Sequence, residues 1–156
     1  MKIGNKRPNL KLEMTGEQSI NLSKLGDVNT IVYFYPKDST PGCTTEGLDF
    51  GERIKQFKKL NTEIFGVSRD TIKRHENFKA KQNFPFDLIS DPDEKLCNAF
   101  DVIKLKKLYG REYMGIERST FLFDVSGKLI KEWRKIKVKG HAQEVLEACK
   151  ELEQNR

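Results

Sequence analysis

Thr30-Ile31-Val32-Tyr33-Phe34-Tyr35-Pro36-Lys37-Asp38-Ser39-Thr40-Pro41-Gly42-Cys43-Thr44-Thr45-Glu46 joins a strand-like run to a helix-like one and puts a thiol at the junction. Thr30 to Tyr35 is β-branched and aromatic, as a buried strand requires, and Pro36 with the Pro41-Gly42 pair ends it. From Thr44 the period changes. Phe50, Ile54, Phe57 and Leu60 recur at helical spacing and predict one helix packed on that strand. Cys43 then falls at the helix N-terminus, where unpaired N–H groups and the positive end of the dipole favour a thiolate.

Outward from this junction the chain alternates. Short strands are predicted at Asn9 to Met14 and around Ile20, and a core strand at Glu63 to Ser68. A helix over Ile72 to Gln82 ends before Asn83-Phe84-Pro85. Asp87 to Ser90 reads as a short strand, and Asp91-Pro92-Asp93 as the opening of a short helix through Phe100. Asp101 to Glu117 reads as irregular. Ser119 to Asp124 and Lys128 to Trp133 flank Val125-Ser126-Gly127 as a hairpin, and Ala142 to Glu153 closes the chain as an amphipathic helix. That order predicts an α/β sandwich with a central mixed sheet flanked by helices.

The 156 residues fit one domain, 1–156, with a core large enough to need no staples. No apolar run approaches the roughly 20 residues of a membrane span. The opening MKIGNKRPNL lacks the apolar stretch of a signal peptide, so a cytoplasmic protein is expected. Three cysteines, 54 and 52 residues apart, do not read as a disulfide framework. The net charge of +6 invites a nucleic-acid reading, but lysines and arginines are interleaved with acids, as in Lys73-Arg74-His75-Glu76. Only Lys131 to Lys139 is a biased basic tract, and no nucleic-acid motif accompanies it. His75 and His141 have no Cys or acidic partner at ligand spacing, so both read as structural; no metal or cofactor is expected.

The residues now carry a resemblance. Pro36, Thr40 and Cys43 reproduce the Pro-x-x-x-Thr-x-x-Cys element of the peroxiredoxins, and YPKDSTPGCTTE resembles their Q or bacterioferritin comigratory protein branch. Gly115 to Leu122 (GIERSTFL) resembles the family's arginine-bearing strand entry, and FGVSRD, SDPDEKL and FDVSGKL follow in the expected order. The resemblance implies a thioredoxin-like fold and reduction of hydrogen peroxide or organic hydroperoxides through a cysteine sulfenic acid. It implies Cys43 as nucleophile, with Thr40 and Arg118 as catalytic partners that also bind peroxide. Pro36 would shield the thiolate, and Glu46 would orient Arg118. A monomer is expected of this branch.

The chemistry agrees. For any thiol, lowering the pKa from about 8.5 to about 6 raises the thiolate fraction at pH 7 about thirtyfold. Lost nucleophilicity takes back about ten- to twentyfold. Acidification alone therefore gains little. Oriented donors on the breaking O–O bond must supply most of the rate, and a guanidinium fork and a hydroxyl suit that task.

Recycling departs from many relatives, which resemble one another in a second cysteine five residues after the first. Here that position is Leu48, and the predicted helix Ile72 to Gln82 has no cysteine either. Cys97 and Cys149 lie among apolar neighbours and read as core thiols. A one-cysteine cycle is expected, with an external thiol from thioredoxin, glutaredoxin or glutathione as reductant. Two alternatives stand beside the peroxidase. A thiol–disulfide oxidoreductase would want Cys-x-x-Cys, and Thr40 stands where its first cysteine belongs. A non-enzymatic redox sensor or binding module would keep Cys43 but need neither Thr40 nor Arg118.

Overall fold

All six residues from Asn29 to Phe34 are buried, and alternate side chains enter different cores. The computed structural model describes residues 1–156. Its elements are β1 (Lys11–Met14), β2 (Gln18–Asn21), a 3-10 turn at Leu22–Lys24, β3 (Asn29–Phe34), α1 (Pro41–Glu52), α2 (Ile54–Lys59), β4 (Thr62–Ser68) and α3 (Ile72–Gln82). After these come β5 (Asp87–Ser90), α4 (Lys95–Ala99), β6 (Ile103–Leu108), β7 (Arg111–Ile116), β8 (Ser119–Phe123), β9 (Leu129–Trp133) and α5 (His141–Gln154). Seven strands form one sheet in the order β2-β1-β5-β4-β3-β8-β9. The β3–β4 and β4–β5 pairs are parallel, whereas β3–β8, β8–β9, β1–β5 and β1–β2 are antiparallel. The sheet is thus mixed, as the element order predicts.

Both faces of β3 are covered, which is why its run from Ile31 to Phe34 is apolar without alternation. Val32 and Phe34 pack with Phe100, Phe121 and Phe123 on one side. Ile31, Tyr33 and Tyr35 pack with Phe50, Phe57, Phe78 and the α5 residues Val145, Leu146 and Cys149 on the other. No helix is long and apolar enough to cross a membrane. The basic tract Lys131 to Lys139 is partly structural. Arg134 donates from Nη1 to the Asp101 carbonyl (2.8 Å) and from Nη2 to the Phe100 carbonyl (2.9 Å).

Three expectations need correction. The single helix through Phe50, Ile54, Phe57 and Leu60 is two helices, broken at Arg53 (φ −104°, ψ 7°). The Arg53 guanidinium donates to the Asp49 carbonyl at 2.8 Å, and the Arg53 N–H turns instead to Phe50 O at 3.1 Å. A side chain has replaced the backbone partner of a helical turn. The short helix begins only at Lys95, because Asp91 stays outside it and accepts the Leu96 and Cys97 N–H groups at 3.1 and 2.7 Å. Pro92 therefore lies in the preceding turn. The supposedly irregular Asp101 to Glu117 contains the β6–β7 hairpin, a separate two-stranded sheet. Its turn is Tyr109-Gly110, both at positive φ (50° and 78°), the backbone a two-residue hairpin requires.

Helix α1 approaches Phe84 so closely that a Cβ on Gly47 would overlap the ring at Cζ. Phe84 is buried and stacked on Phe86 with 5.2 Å between ring centroids, so it has little room to yield. Gly47→Ala should destabilise the protein by about 1–3 kcal/mol in urea unfolding, despite alanine's better helix propensity. Unchanged or higher stability would mean that the Phe84 ring moves aside freely.

Candidate active site

Thr40 is the N-cap of α1 and Pro41 its first residue, so Cys43 falls in the first turn. Proline costs nothing at that position, because its missing N–H would have had no intrahelical partner. Ser39, at φ 62°, lets the chain reverse between β3 and α1. The Thr40 hydroxyl does not cap the helix. It donates to the Lys37 carbonyl at 2.8 Å, which leaves its lone pairs free. Pro36 is half-buried beside this loop, and Cys43 is 2% exposed.

Register brings the second half of the site. In the antiparallel β3–β8 pair Phe34 faces Ser119, so Arg118, one residue before β8, stands at the end of β3 where the Cys43 loop departs. Arg118 divides its fork between two groups of α1. Its Nη2 donates to Cys43 Sγ at 3.4 Å and its Nη1 to Glu46 Oε1 at 2.6 Å. Cys43 and Glu46 share a helix face because they are three residues apart.

The electrostatics of this trio are unequal. Burial pushes the Glu46 carboxyl up to about 7, although Arg118 pulls the other way. Burial also opposes the charge on Arg118, but Glu46 and Cys43 together outweigh it and raise its pKa. Lys106 of β6 is lowered, by burial first and then by Arg118, which places the hairpin within electrostatic reach of the site.

All three cysteines are free thiols. Cys97 and Cys149 are wholly buried. Burial, then the contact with Asp91, raises Cys97 strongly; burial pushes Cys149 up to about 12. Leu48 is exposed.

An AhpC/TSA family model matches residues 3–132. The chain is 54% identical over 141 residues to Peroxiredoxin Bcp of Xanthomonas campestris pv. campestris, covering 90% of this chain and 88% of that one. It is 51% identical over 152 residues to Peroxiredoxin Bcp of Bacillus subtilis, covering 97% of each. A solved structure of Xanthomonas campestris Peroxiredoxin Q superposes with a TM-score of 0.89 at 53% identity, covering 92% of this chain and 91% of that one. The chain belongs to the peroxiredoxins, in the Q or Bcp branch.

This peroxiredoxin therefore has the thioredoxin-like fold its sequence predicts, and it is a thiol-dependent peroxidase. A non-enzymatic sensor or binding module is set aside. The structure brings Pro36, Thr40, Cys43, Glu46 and Arg118 to one end of β3.

The sequence reading took His75 as structural but missed the second buried cluster it joins beneath the same loop. Asp38 Oδ1 accepts from the Tyr35 hydroxyl (2.6 Å), Asp38 Oδ2 meets His75 Nδ1 (2.6 Å), and the Asp38 N–H donates to Asp70 Oδ2 (2.9 Å). His75 thus has an acidic partner, 37 residues away in sequence. His141 has one too, Glu144 at 3.3 Å. His75 Nε2 lies 2.8 Å from the Ile89 carbonyl, which only accepts, so Nε2 carries a hydrogen. Nδ1 meets the Asp38 carboxyl. Asp38, Asp70 and His75 offer ligand atoms within 4.8 Å of one another, but these atoms are already hydrogen-bonded inside the protein. No helical or strand period links these positions, which is why the sequence did not reveal them.

Proposed function

We propose that Cys43 is the peroxide-reducing thiol, that Arg118 and Thr40 are its catalytic partners, and that the enzyme completes its cycle with one cysteine and an external thiol. The Arg118 fork that joins Cys43 Sγ to Glu46 carries this reading. The Cys43 sulfur attacks the terminal oxygen of a hydroperoxide, the S–O bond forms as the O–O bond breaks, and an alkoxide or hydroxide leaves. Arg118 stabilises the charge moving between sulfur and oxygen without losing its own. The Thr40 oxygen accepts the peroxide's proton-bearing end, since its own hydrogen is occupied by Lys37 O. The Cys43 N–H, in the first turn and without an intrahelical acceptor, adds a donor. Pro36 walls the thiolate from water, and Glu46 fixes the guanidinium. Hydrogen peroxide and organic hydroperoxides are the substrates.

Recycling follows from where the other thiols lie. Cys97 and Cys149 are both 0% exposed and held as thiols by burial, so neither is poised to meet a sulfenic acid on Cys43. The incoming thiol condenses with the sulfenic acid, releases water and leaves a mixed disulfide, which a second thiol resolves. Thioredoxin, glutaredoxin or glutathione would supply it. Three unpaired thiols suit a reducing compartment, and we place the protein in the cytoplasm as a monomer.

One equivalent of peroxide, a dimedone trap and peptide mass spectrometry test the scheme. The expected product is a Cys43 adduct with no disulfide. A Cys43–Cys97 or Cys43–Cys149 disulfide would overturn the one-cysteine cycle, and an unmodified Cys43 would remove its assigned role.

A further inference from the structure

Two acids of α1 share a single cation. Cys43 and Glu46 are 2% and 1% exposed, and Arg118 is the group that bonds both, at 3.4 and 2.6 Å. If thiolate and carboxylate were both ionised, the pocket would hold one anion more than its cation can balance, away from water. The second carboxyl oxygen, Glu46 Oε2, is buried with no hydrogen-bond partner at all. A bare anionic oxygen in that position is costly, and one proton removes the charge.

No second cation is bonded to either acid. Asp49, on the same helix, disfavours charge on Glu46. Tyr33 of β3 contributes a buried neutral phenol. Lys106 of β6 is drawn to Cys43 from a distance but bonds neither acid, and burial and Arg118 both weaken its hold on its proton; burial does the same to His141 of α5. The His141 ring is in any case engaged by Thr120 at 2.8 Å and Glu144 at 3.3 Å. The upward shift of Glu46 to about 7 agrees with this picture.

We propose that Glu46 holds the proton that balances the Cys43 thiolate in the reduced enzyme and releases it when peroxide consumes that thiolate. The inference rests on the assignment of Cys43 as nucleophile made above. The balance closes in atoms and charge. Cys43–S⁻, ROOH and Glu46–COOH become Cys43–SOH, ROH and Glu46–COO⁻. The sulfur takes the terminal oxygen with its hydrogen, the O–O bond breaks, and the expelled RO⁻ gains one proton as Glu46 loses one. With sulfur neutral, Arg118 belongs to Glu46 alone and the carboxylate becomes the favoured form. Glu46 need not touch peroxide, because Arg118 bonds both acids and couples the charge on one to the proton on the other. It is a positioning residue for charge and proton, acting through Arg118. Peroxide cleavage then draws no net proton from solvent.

Infrared difference spectroscopy on the full-length protein at pH 6.5, before and after one equivalent of hydrogen peroxide, reads this directly. The reduced enzyme should show the C=O stretch of a protonated carboxyl, absent in Glu46→Gln, and oxidation of Cys43 should remove half or more of its intensity. In Cys43→Ser, which has no thiolate to balance, the band should already be weak. A reduced enzyme without that band, or a band indifferent to oxidation, overturns the proposal. The wild-type and Cys43→Ser spectra decide the matter even if Glu46→Gln fails to fold. Mass spectrometry of the same samples establishes whether Cys43 became a sulfenic acid, so a failure of the nucleophile assignment is told apart from a failure of the proton balance.

Discussion

Arg118→Lys should lower the rate constant for peroxide by about 10²–10³-fold while changing alkylation of Cys43 by iodoacetamide less than about tenfold. The asymmetry follows from what the two reactions ask of the site. Iodoacetamide needs a thiolate and a route to it, and a lysine still supplies a positive charge nearby. Peroxide also needs donors fixed in direction along a breaking O–O bond. Arg118 gives one nitrogen to Cys43 at 3.4 Å and another to Glu46 at 2.6 Å, so the guanidinium plane is pinned at both edges. An ammonium is a point charge on a flexible stem and cannot hold both contacts in one plane. The general thiol arithmetic leads the same way, since acidification is nearly cancelled by lost nucleophilicity. Stopped-flow oxidation beside alkylation under identical conditions measures the ratio. Equal losses in both reactions would mean that Arg118 acts only by making thiolate.

The second large effect is on stability. His75→Leu should cost about 3–5 kcal/mol in urea unfolding, because it strips Asp38 Oδ2 of its partner in a buried place and leaves the carboxylate only the Tyr35 hydroxyl. His75 is 0% exposed and Asp38 7%, so solvent does little to screen the pair. The double variant Asp38→Asn/His75→Leu should recover a substantial part of that loss, since an amide keeps the Tyr35 hydroxyl bonded without stranding a charge. A single-variant cost below about 1 kcal/mol would mean that the pair contributes no more than a surface contact. The cluster also ties the active-site loop to α3 through Asp38 and to the end of β4 through Asp70. Loosening it is expected to reach Cys43 only through the loop.

Much of this was legible in the chain because it is encoded locally. The run from Thr30 to Tyr35 is a strand buried on both faces, and Pro36, Pro41 and Gly42 announce the turn and helix that follow. The hairpin of β8 and β9 and the amphipathic α5 were equally plain. What the sequence hid has a common cause. In β6–β7 the exposed Leu105, Leu108, Tyr109, Tyr113 and Met114 leave no buried face to impose a period on the pattern. The helix break at Arg53 arises because a side chain competes for a backbone carbonyl, which no hydrophobic stripe records. The Asp38–His75 pair joins a loop to a helix 37 residues on, and neither residue is unusual by itself.

The sequence by itself determined that a thiol stands at a helix N-terminus after a central strand, with a second motif far along the chain to complete it. Period, turn chemistry and motif are short-range properties, and they survive in one dimension. Only the tertiary structure decided that Arg118 divides one positive charge between Cys43 and a buried Glu46 whose other oxygen has no partner. That arrangement depends on the β3–β8 register and on the exclusion of water, which exist once the sheet and helices have packed.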